Sequence, residues 1–219
     1  MTKTKIGMLI CMTLILNSAG VQAQKGVEHF NISLFCNTDS LKGANLSILT
    51  NAIKKDMQGV QISALNNFAT KGNGIQIGML SNASTSTFKG IQLAGITNVS
   101  MGMKRGIQLA GAANICSSSM RGIQTAVYNY ADTLSGSQIG LFNACISHPR
   151  GVQIGIINYS RDTVAHKIGL VNVNPKTRID LMSYIGTSTK LNMALRFRNR
   201  STYNITKVSH PYKIGLFQI

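Results

Sequence analysis

The chain has 219 residues, of which 44% are hydrophobic and only 13% are charged, and its formal net charge is +16. Charged residues make up about a quarter of an ordinary domain, so their scarcity here disfavours water-exposed helices. Abundant Asn, Ser, Thr and Gln beside this hydrophobic content indicate a β-rich protein and exclude a disordered one.

The first predicted element is a cleaved signal peptide over residues 1–23. Lys3 and Lys5 give a positive start, residues 6–16 are apolar, and small residues precede a cleavage site after Ala23. This apolar run is too short for a transmembrane helix, which needs about 20 residues. The sequence therefore predicts an exported protein, located at the cell surface, in the outer membrane or in the periplasm.

Without residues 1–23 the chain keeps 20 basic and 6 acidic residues, a net charge of +14. An exported protein of this charge is expected to meet anionic surfaces such as lipopolysaccharide, acidic glycans or phospholipid headgroups. We expect an anionic envelope polymer or glycan as partner, and association with the outer membrane is compatible with the same charge. Nucleic acid is not expected, because the predicted export and the lack of a recognition motif argue against it.

Three cysteines remain after the predicted cleavage: Cys36, Cys116 and Cys145. An odd number in an exported chain is not a complete disulfide framework, and their spacing matches no metal site. We interpret them as small buried or turn residues, with one disulfide pair or an intermolecular bridge as the alternative.

Residues 24–173 are predicted to form an array of one short repeat. Residues 90–98 (GIQLAGITN) and 106–114 (GIQLAGAAN) are nearly identical. The pattern is Gly, apolar, Gln, apolar, small residue, two or three mostly apolar residues, then Asn. Copies follow one another every 14 to 16 residues, which gives ten copies. Such units are expected to stack and to bury their apolar faces against each other.

Each copy is predicted to contain a β-strand, because its apolar residues alternate with Gly and Gln. In residues 151–156, Val152, Ile154 and Ile156 share one face, whereas Gln153 and two glycines share the other. Polar, glycine-containing or basic segments between the copies predict turns.

Two arrangements of these strands are open. In a β-solenoid each copy is one coil, coils stack in parallel about 4.8 Å apart, and identical amides form ladders. In an antiparallel meander each copy is one strand of an outer-membrane β-barrel, although the low aromatic content and the lack of alternating turn lengths disfavour it. Lys89, Arg105 and Arg121 favour the meander, since a parallel stack brings their like charges together. We predict an all-β solenoid, with the meander or barrel as the alternative.

The repeated amides are predicted to be structural, because the same residue recurs in every unit instead of in one patch. Binding of sugar hydroxyls is the alternative for the Gln row, and the Asn positions are also expected to support turns. The predicted ladder positions are Gln76, Gln92, Gln108, Gln124, Gln138, Gln153, Asn82, Asn98, Asn114, Asn129, Asn143 and Asn158.

Residues 174–219 are predicted to form a C-terminal β-hairpin cap or a truncated β-domain. Asn174-Pro175 interrupts the repeat, and residues 191–198 alternate as an amphipathic strand. Residues 181–185 are its expected hairpin partner, and residues 201–205 are a candidate third strand.

No catalytic, metal or cofactor site is predicted. The six acidic residues left after cleavage occupy different copies, the four histidines are scattered, and the neighbours Glu28 and His29 are expected at a solvated end of the array. Basic turn residues are the best functional candidates, as a ridge that binds anionic polymer, with solubility alone as the alternative. These residues are Lys71, Lys89, Lys104, Arg105, Arg121 and Arg150.

The repeats resemble the bacterial surface-repeat family of Gram-negative envelope proteins, which carry tandem copies of Gly-x-Gln-x-Gly/Ala followed by Asn. The similarity covers residues 27–173 and is clearest at residues 151–158 (GVQIGIIN). It implies an envelope location and implies no reaction, cofactor or defined ligand. The sequence thus predicts a non-enzymatic exported scaffold or binding surface, with an outer-membrane β-barrel or channel component as the alternative.

Overall fold

The computed structural model describes residues 24–161, 166–175, 178–184, 191–198 and 203–210. The predicted signal peptide, residues 1–23, lies outside this part of the chain. Within the described residues nearly every position belongs to a β-strand. These residues include no helix that is long and apolar enough to cross a membrane.

Ten strands form one sheet in which successive copies of the repeat are hydrogen-bonded neighbours in parallel. The order is β1 to β8 and then β10, with β9 paired to β7. The bounds are β1 Gln24–Ser63, β2 Asn66–Gly78, β3 Ser81–Ala94, β4 Thr97–Ala110, β5 Ala113–Thr125, β6 Tyr128–Ile139, β7 Phe142–Ile154, β8 Ile157–Ser160, β9 His166–Ile168 and β10 Val171–Val173.

Each coil has two legs and two corners, as residues 81–96 illustrate. Residues 81–84 form the first leg. It contains Asn82, the Asn of the repeat, and we call it the Asn leg. A register shift marks the first corner, and residues 90–94 form the second or Gln leg. Residues 95–96 then make a tight second corner. The two legs lie so close together that the Asn82 side chain of one leg reaches the Leu93 carbonyl of the other at 2.6 Å, so the coil is narrow.

The predicted β-solenoid is confirmed, and it has about eight turns. Eight two-residue corners occur in the described chain, fewer than the ten copies, because the first two copies lie within the long strand β1. The antiparallel meander and the β-barrel are wrong, since neighbouring copies pair in parallel. Repulsion between Lys89 and Arg105 does not prevent the parallel stack, because both side chains are exposed and water and salt screen their charges.

The expectation that the units bury their apolar faces is wrong for the Gln leg. The ladder glutamines are fully buried, whereas Ile154 beside Gln153 is 40% exposed and Ile156 is 45% exposed. Alternation along a strand forces this outcome, because either the Gln or its apolar neighbours can face the narrow interior. The solenoid therefore buries the amides and leaves the apolar side chains outside.

Apolar burial is instead concentrated along the first corner of the coils. Ala69 pairs with Ile53, and Met103 with both Phe88 and Met120, so the cluster runs along the stack. Its members are Leu41, Ile53, Met57, Ala69, Phe88, Met103, Cys116, Met120, Ala131, Leu134 and Cys145.

The C-terminal strands form a separate three-stranded antiparallel sheet in the order β11-β12-β13. The bounds are β11 Arg178–Tyr184, β12 Leu191–Arg198 and β13 Tyr203–His210. Leu181 pairs with Leu195 across β11 and β12, and β13 is the third strand, shifted toward the C-terminus relative to the expected residues 201–205.

Candidate functional surfaces and the buried amide ladders

The Gln residues of successive coils form a continuous hydrogen-bonded ladder inside the solenoid. Gln76 Nε2 donates to Gln61 Oε1 at 2.7 Å, and Gln92 Nε2 donates to Gln76 Oε1 at 2.8 Å. The same bond recurs, at 2.8–2.9 Å, through Gln108, Gln124, Gln138 and Gln153. Each amide satisfies its neighbour without water, which is what allows a row of buried polar groups.

A second ladder is formed by the Asn residues. Asn82 Nδ2 donates to Asn98 Oδ1 at 2.9 Å, and it also donates to the Leu93 carbonyl across the coil at 2.6 Å. Each Asn thus joins two coils and also joins the two legs of its own coil. The bonds continue at 2.8–3.0 Å through Asn51, Asn67, Asn114, Asn129, Asn143, Asn158 and Asn172.

The two ladders point in opposite directions along the stack. Gln124 donates to Gln108 in the preceding coil, whereas Asn114 donates to Asn129 in the following coil. Bonds from the same amide nitrogens to backbone carbonyls, such as Gln124 Nε2 to the Tyr130 carbonyl at 3.2 Å, fix these orientations because a carbonyl can only accept. The side-chain dipoles of the two rows therefore oppose each other instead of adding.

The Gln ladder ends where Lys167 occupies the Gln position. The Lys167 ammonium donates to the Val173 carbonyl at 2.7 Å, and the buried Oε1 of Gln153 is left without a partner among the described residues. Burial lowers the pKa of Lys167 to about 8. At the other end, Asn45 occupies the Gln position, and its side chain is one methylene too short to continue the row.

Four of the six candidate basic residues line one edge of the solenoid. Lys89 pairs directly with Arg105 in the neighbouring strand. Lys89, Arg105 and Arg121 each precede a Gly, and these three glycines pair with one another along the stack. Ser135 interrupts the row between Arg121 and Arg150. We call Lys89, Arg105, Arg121 and Arg150 the basic ridge.

Lys104 lies beside the ridge, and Lys71 does not belong to it. Lys104, Arg121 and Arg150 line a groove of about 580 Å³ over Met120 and Leu134. Lys71 is paired with Asp56 at 3.6 Å.

No carboxylate among the described side chains neutralises the ridge. The ion pairs found in that part of the chain join Lys55 to Asp39 and Lys71 to Asp56. The ridge cations are exposed. They therefore present four positive charges over five successive coils, with Ser135 in the fourth coil, and neighbouring strands lie about 4.8 Å apart.

The outer side of the Gln leg carries an apolar face that was not predicted from the sequence. It consists of the outward side chains that flank the ladder glutamines, and Leu109 and Ile123 are 39% and 40% exposed. Its signal was present in the alternation, which shows two kinds of side chain on opposite faces but not which kind is buried. Thr125 and Ser137 each interrupt one of the two columns of this surface. The apolar face comprises Ile75, Ile91, Ile107, Ile123 and Val152 before the glutamines, and Ile77, Leu93, Leu109, Ile139 and Ile154 after them.

The described residues contain no grouping of three or more His, Cys, Asp or Glu side chains able to hold a metal ion. Cys36, Cys116 and Cys145 are buried free thiols. Burial raises the pKa of Cys145 to about 11 and that of Cys36 to about 12, which keeps both as unreactive thiols.

Glu28 is not at a solvated end, contrary to the sequence-based expectation. Its carboxylate is buried and accepts hydrogen bonds from the Asn31 amide at 2.9 Å and the Cys36 thiol at 3.4 Å. The adjacent His29 is exposed and lies 3.0 Å from the Lys42 carbonyl through Nδ1. The two side chains point apart, so they do not form an acid–imidazole pair.

No family model matches the chain, and comparison with curated proteins and with solved structures finds no significant match.

Proposed function

We propose that this protein is a non-enzymatic, exported scaffold of the bacterial envelope that binds an anionic envelope component through its basic ridge. The observation that carries the proposal is the row of four exposed cations over five coils, none of which forms an ion pair with a described carboxylate. A linear or planar array of anions can satisfy several ridge positions at once, which multiplies weak individual contacts.

The ladders supply the rigidity that such a surface needs. Their bonds connect every coil from Asn51 to Asn172, so the ridge residues are held in register by the interior beneath them. A preorganised surface loses little conformational entropy on binding. The resemblance to envelope repeat proteins and the predicted signal peptide support the location.

The ridge is tested by binding to dextran sulfate, with neutral dextran as the reference polymer. Lys89→Gln, Arg105→Gln and Arg121→Gln are combined in one variant. Three exposed ion pairs are worth about 0.2–1 kcal/mol each, so affinity should fall about tenfold. Wild-type binding should also weaken as salt rises.

A matched control variant has the same change in net charge, but its substitutions lie outside the ridge. Lys42→Gln, Lys54→Gln and Lys71→Gln remove three exposed lysines from the early coils. This variant should retain wild-type affinity within about twofold. Equal losses in the two variants, or binding that is insensitive to salt, would show that the ridge is not the site.

The proposed export is tested separately by expressing the full chain in a Gram-negative host. N-terminal sequencing of the accumulated protein should give Gln24 as the first residue, because Ala23 precedes the expected cleavage site. Retention of Met1 in the cytoplasm would contradict the proposed location and leave the anion-binding test unaffected.

A further inference from the structure

We infer that the anionic partner is the surface of a lipid bilayer, and that the protein lies on it with the apolar face toward the acyl chains and the basic ridge at the phosphate headgroups. This inference rests on the proposed function and names the partner of the same site. It is carried by the position of the apolar face directly beside the ridge.

The ridge and the apolar face are neighbouring stretches of the same strands. In β4, exposed Arg105 is followed at two-residue steps by Ile107 and Leu109, and Gln108 between them is buried. In β3 the same order is Lys89, Ile91 and Leu93, and the register pairs each residue with its counterpart. Every such coil therefore places a cation at one edge and apolar side chains beyond it on the outer surface.

The apolar face continues around the second corner, where ordinary soluble proteins place polar residues. Ile96 is 48% exposed, Val127 45%, Leu141 45% and Ile156 45%. These are large side chains at one recurring position of the coil. Contiguous exposed apolar surface of this kind marks an interaction site, whereas single exposed side chains do not.

A shallow groove of about 500 Å³ runs across the coils within this face. Leu93 and Leu109 stand along it, and the small residues Ala94, Gly95 and Ala110 form its lining where larger side chains would fill it. The groove is open and apolar, so it suits chains that lie against a surface better than a ligand enclosed in a cavity.

Charge complementarity selects the lipid surface among the candidate occupants. A soluble polyanion would engage the ridge and leave the apolar face in water. An amphiphile with an anionic headgroup satisfies both, as basic amphipathic segments do when they bind at the membrane interface. Each Lys or Arg near an anionic bilayer strengthens binding about fivefold, and each buried apolar side chain adds to it.

The experiment measures co-sedimentation of the mature chain with vesicles. One set is phosphatidylcholine alone and the other is phosphatidylcholine mixed with phosphatidylglycerol. The wild type should bind the anionic vesicles much more tightly. The apolar variant Leu93→Ser with Leu109→Ser should lose about tenfold or more in vesicle affinity while its dextran sulfate affinity stays unchanged.

Met101→Ser is the matched apolar control. Met101 is 50% exposed, but it follows the Asn leg and lies off the apolar face, so its replacement should leave vesicle binding unchanged. Circular dichroism of all variants checks that the fold is kept, which is expected because none of the replaced side chains is fully buried. The ridge variant Lys89→Gln, Arg105→Gln and Arg121→Gln should lose binding to both vesicles and dextran sulfate.

Each contrary outcome has a distinct meaning. Equal vesicle binding by the apolar variant and the wild type would overturn the lipid inference and leave the ridge as a binder of soluble polyanion. Loss of neither ligand in the ridge variant would overturn the proposed function itself. A wild-type dimer that the apolar variant abolishes, detected by sedimentation velocity without lipid, would show that a second copy covers the face and would also overturn the inference.

Discussion

The two halves of the solenoid interior follow different rules. Along the Gln leg the same residue occupies the buried position from Gln61 to Gln153 without exception. Along the first corner the corresponding column reads Met57, Gly72, Phe88 and Met103. A hydrogen-bond ladder requires donors and acceptors at one fixed reach from the backbone, whereas apolar packing requires only that neighbouring volumes add up.

Gly72 and Phe88 show how the apolar column at the first corner accommodates side chains of different volume. A Cβ added to Gly72 would overlap the ring of Phe88, so the Phe ring fills the space that the Gly leaves in the coil below. No such exchange is open to the ladder, because a shorter side chain such as Asn45 leaves its oxygen unpaired.

The largest contrast is expected from a pair of substitutions in one coil. Gln108→Leu keeps the volume but leaves the buried Gln92 Oε1 without the bond of 2.8 Å that it accepts. It also removes the bond that the Gln124 amide donates to Gln108. The cost should be about 3 kcal/mol of unfolding free energy.

Met103→Leu is the companion, because Met103 is also fully buried. A volume-conserving apolar change should cost less than about 1.5 kcal/mol. Urea unfolding followed by circular dichroism measures both variants. Similar losses of unfolding free energy in the two variants would mean that the Gln ladder tolerates substitution as well as the apolar column does.

A double-mutant cycle sharpens the comparison on the apolar side. Gly72→Ala should destabilise by about 2 kcal/mol, because the new methyl group meets the Phe88 ring. Phe88→Leu added to it should relieve the overlap, so that the double variant is more stable than the sum of the two single changes predicts. If the destabilisation of the double variant, measured by thermal unfolding, equals the sum of the two single changes, the side-chain volumes at positions 72 and 88 are not coupled.

The smallest effect is expected at the end of the Gln ladder. Lys167→Gln supplies a donor for the unpaired Gln153 Oε1 and removes a half-buried ammonium, so the free energy of unfolding should rise by about 1 kcal/mol. A lower unfolding midpoint in this variant than in the wild type would show that Lys167 already closes the ladder better than an amide does.

The pH dependence of the same variant gives an independent measurement. The pKa of Lys167 is lowered by burial to about 8 from 10.5, so between these values the unfolded chain holds a proton that the folded chain has lost. Wild-type stability should therefore rise as pH increases through this window and be constant with respect to this group below pH 8. Lys167→Gln should lack that rise.

Much of the architecture could be predicted from the spacing of the repeat copies alone. Copies of 14 to 16 residues, with Gln and Asn at fixed positions, predicted parallel coils and amide rows. The charge of Lys89, Arg105 and Arg121 argued for the wrong alternative, because the repulsion between exposed cations is weaker than the interior bonds that a parallel register provides. The Gly column adds to that register, since at Gly90, with φ +127°, a Cβ would overlap the Gly74 carbonyl.

Only part of the candidate site could be predicted from the sequence. The basic residues were found from the sequence, but Lys71 looks no different from Lys89 until the register shows that it pairs with Asp56 instead of joining the ridge. The apolar face was missed because exposure follows from the distance between the legs, which no local pattern encodes.

The sequence by itself determined the repeat length, the strand alternation and the identity of the residues that share each column, because covalent spacing fixes which positions recur. Only the tertiary structure decided which side of each strand became the interior. Between two legs this close the Gln and Asn side chains bond to their own copies in neighbouring coils, and the apolar side chains of the Gln leg were thereby left facing outward beside the cations.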